Sequence, residues 1–405
     1  MRLADDIDMA GGVLGGVILD VSSTGFLLAS GRLTGISGFV ENSISPAVKL
    51  DDKLWALSYL LGLILAGMAA VGSGSDGEDR MGVVSEVRWS TLVGAVLVGL
   101  GTRMGCGCTS GHGISGLPRF SLRALVAVCS FMFTAAISSA CTRLMTDAGM
   151  FPQLDKTMSL PYWPSAAVSF IVPFISFLAI TLLLVLYHRY ITETQIPDSA
   201  DVASSQSWLH ENTWQHCVIA LVAGFVFGVG LVIGGMCDPL RVKQFLDFTG
   251  PDGWDPTLIG VMGGGVAFNT VTFHLLHRYE VEAVLCCDKG TKKELNKEIK
   301  LFNHTANTTI TVPFVAGALV FGLGWGMSGV CPGPGVVSLG ASSRVAAAYI
   351  PPLFIGMGIH EIYKSMDDLK KKLSNYDISV CQPTGKVDSD EKVNGVVPGD
   401  AAMSL

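Results

Sequence analysis

The feature that most constrains this chain is the recurrence of apolar stretches about as long as a bilayer crossing. They lie at 9–30, 53–72, 120–144, 163–187, 215–235, 257–277, 309–328 and 346–363, and a ninth at 89–105 is interrupted by glycines. About 20 apolar residues in a helix cross a hydrocarbon core of roughly 30 Å, and only helices or closed barrels satisfy their backbone there. With 49% hydrophobic and 15% charged residues, the chain is too apolar for a soluble domain of its size. The expectation is an all-α polytopic membrane protein of about nine transmembrane helices.

Glycine is also abundant, at 48 residues. Small residues let membrane helices approach closely, and unwound backbone is tolerated where protein covers it or where it lines a cavity. Four glycine-rich breaks repeat. Gly101-x-x-Met104-x-x-x-Cys108 and Gly324-x-x-Met327-x-x-x-Cys331 share a register, and Gly230-x-x-x-Gly234-Gly235-Met236-Cys237 keeps its first glycine and its cysteine at the same offset. Gly35-Ile36-Ser37-Gly38 is a weaker copy, with Ser37 expected where the others carry cysteine. Proline or a basic residue follows the copies, at Pro118-Arg119, Pro239, Pro332 and Pro334, and proline suits a first helical turn. Each break is therefore expected to join a span to a short re-entrant helix, four in all, with Asp238 as a helix cap.

The copies divide the chain into a first membrane half, 9–144, and a second, 213–363, separated by a linker, 145–212, that holds the span 163–187. One extra crossing would invert the second half, giving two inverted-topology repeats and an hourglass. The segment 278–300 and the tail carry most of the loop lysines and arginines, whereas 73–88 is acidic. The positive-inside rule then puts the C-terminus in the cytoplasm and residues 1–8, acidic and lacking the basic start of a signal peptide, outside. The cell membrane is the expected location. The polar tail, 364–405, is expected to be disordered.

A helix N-terminus seats anions, and a thiol is a weak donor with a polarisable atom. Cys108, Cys237 and Cys331, in one register, are the leading candidates for a substrate pathway, with Ser37 beside them. Met104, Met236 and Met327 offer a soft lining, and His112 either meets the anion or caps a helix. Gly107, Gly111, Gly235 and Gly329 supply backbone, while Arg32 and Arg103 are candidates for anion attraction. Arg119 is expected to reach for the headgroups. The ten cysteines show no disulfide framework. No cofactor, no metal site and no catalytic group is expected, and the charge, −7 overall, is not gathered into a nucleic-acid surface.

The run Gly107-Cys108-Thr109-Ser110-Gly111-His112-Gly113-Ile114-Ser115-Gly116 closely resembles the signature of the YeeE/YedE sulphur transport family. Gly234-Gly235-Met236-Cys237-Asp238-Pro239 and Gly326-Met327-Ser328-Gly329-Val330-Cys331-Pro332-Gly333 resemble its later motifs in order. The resemblance covers about 9–363. It implies thiosulfate uptake through an hourglass-shaped protein in which cysteines near a constriction pass the ion along by S–H hydrogen bonds. It also implies a related sulphur anion as the partner, with a cytoplasmic sulphur-accepting protein downstream. Ser37 and the additional Cys106 depart from a uniform thiol relay.

Two other classes stand beside this one. A membrane sulphurtransferase would carry a persulfide on Cys108 or Cys331 and needs an activated thiolate, for which His112 is the nearby base. A Cu(I) transporter would use cysteine and methionine together, but anion-favouring helix N-termini oppose it. No nucleotide-binding P-loop pattern is present.

Overall fold

The computed structural model describes residues 8–30, 32–45, 48, 50–72, 88–150, 213–251, 253–278, 309–341 and 344–380. The expected span 163–187, the loop 73–87 and most of the basic loop lie outside the described residues. Among the described residues the chain is all helical, with six helices long and apolar enough to cross a membrane, or seven if one bent pair counts as a span.

The order repeats one unit. In the first half, α1 (Met9–Ser30), the short α2 (Ile36–Ile44) and α3 (Leu50–Gly72) are followed by α4 (Trp89–Met104), a break with a π-helical turn (Thr109–Ile114) and a 3-10 turn (Leu117–Arg119), and α5 (Leu122–Asp147). In the second half, α6 (Thr213–Ile233), the short α7 (Pro239–Leu246) and α8 (Thr257–Arg278) are followed by α9 (Val312–Ser328), the short α10 (Pro332–Gly340) and α11 (Arg344–Val380). A short helix stands at three of the four glycine-rich breaks, and a π-helical and a 3-10 turn stand at the second. The stretch around 89–104, expected to be interrupted, is one continuous helix, because its glycines lie on helix-packing faces.

The halves interlock. α1 packs on α6 and α8, α3 on α6, and α4 and α5 on α9; Gly99 of α4 and Gly356 of α11 bring those two helices into backbone contact. Exchanging one half for the other maps these pairings onto themselves. Small hydroxyls join the helices: Thr134 and Ser138 of α5 donate to the carbonyls of Leu319 (3.0 Å) and Leu323 (2.7 Å), and Ser22 of α1 donates to that of Ala223 (2.7 Å). In lipid such bonds, with close packing, replace the hydrophobic drive that holds soluble helices together. The short α10 reaches α3 because Gly67 and Gly340 lie against the carbonyls of Val337 and Ile64, where a Cβ would clash.

The described residues up to His360 form one packed unit, and Glu361 begins a second. α11 runs past residue 364 to Val380, and the rest of the expected polar tail lies outside the described residues.

Candidate functional site

Three breaks share one backbone device. The helix ends, one residue turns left-handed, and two residues later stands a cysteine. The left-handed residues are Cys106 (φ 51°), Gly235 (φ 70°) and Gly329 (φ 72°). Bonds back to the preceding helix seal the first two ends: Gly107 N–H donates to Thr102 (3.0 Å) and Met236 N–H to Leu231 (3.0 Å). This is the helix-ending motif that usually employs glycine, and Cys106 takes it without that freedom. Cys108 and Cys331 then cap the next helical turn. In the third break the helix starts one residue later, with Asp238 as the cap, its carboxylate accepting from Leu240 N–H (2.9 Å). Cys237 is thereby displaced from the capping position.

All four breaks meet at a cavity of about 10 Å³, room for roughly one water. Ile36 comes from the first break, Cys108 and Ser110 from the second, Met236 from the third, and Cys331 and Gly333 from the fourth. Hydrogen bonds bind the breaks together. Thr109 Oγ1 donates to Cys331 Sγ (3.4 Å), Ile36 N–H donates to Ser110 Oγ (3.2 Å), and Ser115 Oγ donates to the Thr34 carbonyl (2.7 Å). Cys108 Sγ lies 3.1 Å from Ser110 Oγ. The first turns of α2, α10 and the π-helical segment converge here, so their positive ends favour an anion. A π turn in a helix is rare and frequent at working sites.

The predicted residues separate on inspection. Cys108, Cys331 and Met236 line the cavity; Cys237 is buried outside its lining, and Met104 and Met327 are not part of it. Ser37 does not take the cysteine's place, because α2 is capped by Gly35 and Ser37 falls inside its first turn. His112 holds the second break from behind: its Nε2 lies 3.0 Å from the Gly105 carbonyl, the ring backs onto Gly107, and Phe314 packs on it edge-on. Gly111 has an open Cβ position, whereas Gly235 and Gly329 are needed for their backbone. The two arginines are not bare cations. Arg32 pairs with Asp52 at 2.8 Å and lies over Trp55, and Arg103 pairs with Glu41 of α2. Arg119 turns inward, donating from Nε to the Ser115 carbonyl (2.7 Å).

Other lining residues carried no signal in the sequence. Met262 of α8 and Phe227 and Leu231 of α6 close the sides of the cavity. A larger cavity of about 500 Å³ opens beside α5 and α7, lined by Arg88, Arg143, Lys243, Ser139, Asp147 and Asp247 among others. Burial opposes ionisation of Asp247, but hydrogen bonds from Arg143 (2.6 Å) and Thr249 outweigh it and hold its carboxyl below the usual range. Arg143 is thus committed. The Lys243 ammonium has no hydrogen bond or ion pair among the described residues, and the side chain lies against Gly329, two residues before Cys331.

A family model described as sulphur transport matches residues 9–137. A probable transporter of Xylella fastidiosa (strain 9a5c) is 39% identical over 124 residues, 30% of this chain and 86% of the relative. The chain belongs to the YeeE/YedE sulphur transport family. A second probable transporter, from Xylella fastidiosa (strain Temecula1 / ATCC 700964), is 30% identical over 154 residues, 38% of this chain and 93% of the relative. A model described as a family of unknown function (DUF6691) matches residues 215–372. No solved structure matches. For this family member, then, the relatives named as transporters are matched along most of their length by about a third of the chain.

Proposed function

We propose that this sulphur transport family protein takes up thiosulfate through the constriction between Cys108 and Cys331. The observation that carries the reading is that two free thiols, one from each half, share a cavity where all four breaks meet. A neutral thiol donates weakly through S–H and presents a polarisable sulphur, which suits the terminal sulphur of thiosulfate better than a hard oxyanion. Met236 and Met262 add soft surface, and the helix N-termini offset the anion's charge. The ion first collects in the larger cavity, drawn by Lys243, and then passes Gly329 to reach Cys331 and Cys108. Cys237, outside the cavity lining, supports the third break and is not a relay step.

The cavity of about 10 Å³ is too small for the ion, so this is a closed form. Opening requires the bonds between breaks, Thr109 to Cys331 and Ile36 to Ser110, to part. The same reading makes the halves inverted repeats in the cell membrane, with the N-terminus outside and the C-terminus in the cytoplasm beside a sulphur-accepting protein. Proteoliposomes given labelled thiosulfate or sulfate test it. Uptake should favour thiosulfate and should be lost in the Cys108→Ala/Cys331→Ala double variant at unchanged thermal stability. Equal uptake of sulfate, or a double variant as active as wild type, would remove the thiol-lined pathway.

A further inference from the structure

Asp20 lies near the middle of α1 and is buried. An ionised carboxylate at such depth is costly unless something neutralises it, and residues of this kind in membrane helices mark ion and proton paths. No cation faces it. The neighbouring stretches of α6 (223–230) and α8 (261–272) contain no ionisable side chain. Of the other titratable groups on packed elements, His274 of α8 bonds the Thr270 carbonyl and His112 and Arg119 of the second break bond Gly105 and Ser115. Tyr59 of α3 packs on Phe26, farther along α1.

What surrounds Asp20 is a set of hydroxyls with too few protons. Thr24 Oγ1 lies 3.1 Å from Asp20 Oδ1 and 3.3 Å from Asn269 Oδ1, and both read as acceptors of its single proton. The orientation of Asn269 is fixed, because its Nδ2 donates to the Ile114 carbonyl at 3.1 Å. Thr272 also lies within reach of Asp20, and its hydroxyl divides between the carboxylate and the Phe268 carbonyl, 2.9 Å away. With Asp20 ionised, its two oxygens and the Oδ1 of fully buried Asn269 compete for the protons of Thr24 and Thr272, and among the described residues one buried acceptor goes short. With a proton on Asp20, its O–H donates to Thr24, Thr24 to Asn269, and Asn269 to Ile114, leaving no acceptor short. An unmade bond at a buried group costs about 1–3 kcal/mol.

The far end of this chain is the working site, since Ile114 closes the π-helical segment and lines the cavity with Cys108. We infer that Asp20 is the proton-binding site of a proton-coupled carrier, its protonation state being passed through Thr24 and Asn269 to the second break. A proton from the acidic side forms the O–H bond on Asp20. Its release as hydronium to water on the other side breaks that bond and frees Thr24 to turn back. This deepens the transport reading and rests on it.

The full-length protein in liposomes separates the two. Under an imposed pH gradient, acidic outside, wild type should accumulate thiosulfate and acidify the lumen. Asp20→Asn should lose both but keep thiosulfate exchange at equal pH, and Asp20→Glu should retain them. Independently of transport, infrared spectra of wild type should contain a protonated-carboxyl band that shifts in deuterium oxide and is missing from Asp20→Asn. Gradient-driven accumulation by Asp20→Asn, drive by a sodium gradient instead, or absence of the band overturns the inference. If thiosulfate neither accumulates nor exchanges while the band is present, the substrate reading fails and Asp20 stands as a proton site.

Discussion

The third and fourth breaks begin alike and end apart. Each has a glycine in the left-handed region, at Gly235 and Gly329, and a buried cysteine two residues later. Yet Cys331 caps α10 and faces Cys108 across the cavity, while Cys237 precedes the cap that Asp238 provides and is left out of the lining. A single added residue between the turn and the helix moves a thiol out of the site and puts the neighbouring Met236 there. Equal register in sequence therefore does not mean equal place in a site; the cap decides.

The sharpest way to break this comparison is to exchange each cysteine for alanine separately. Cys331→Ala should lower thiosulfate uptake by tenfold or more, the loss of about 1.5–3 kcal/mol expected for a hydrogen bond to a charged group. Cys237→Ala should stay close to wild type. Equal losses would return the pathway to the register and away from the cavity.

Lys243 sharpens the contrast from the other side, because it belongs to the third break's helix but lies against Gly329 of the fourth. Lys243→Met should raise the half-saturating thiosulfate concentration severalfold, with the difference shrinking as salt is added. A shift independent of salt would make Lys243 a packing residue.

The smallest effect concerns the turn itself. Gly329→Ala should destabilise the protein by about 1–2 kcal/mol in thermal unfolding, whereas Cys106→Gly, at the matching position of the second break, should stabilise it by up to about 1 kcal/mol. Opposite outcomes would separate the breaks that the backbone makes equivalent.

These differences mark what a sequence discloses. The spans were legible because crossing a bilayer demands a length of apolar residues that nothing else explains, and the four breaks because glycine and proline punctuate helices. The shared register of Cys108, Cys237 and Cys331 is plain in the sequence, but which of them meet at one cavity depends on the caps. Ser37 was misplaced because Gly35-Ile36-Ser37-Gly38 imitates the pattern without fixing where α2 is capped. Met262 and Lys243 gave no signal, since the role of each depends on which helix lies opposite. Arg32 and Arg103 are candidates for anion attraction in the sequence, and only the fold brings Asp52 and Glu41 to them.

The near absence of space between Cys108 and Cys331 has a consequence beyond binding. A membrane that stores about 2.3 kcal/mol per elementary charge at 100 mV cannot tolerate a standing thread of water through each copy of a carrier. Side chains from all four breaks close the gap to about one water's room, so on the proposed transport reading the closed form holds no continuous thread of water there. On that reading an anion must shed most of its hydration to be admitted, and the seal at rest is thereby also the sieve.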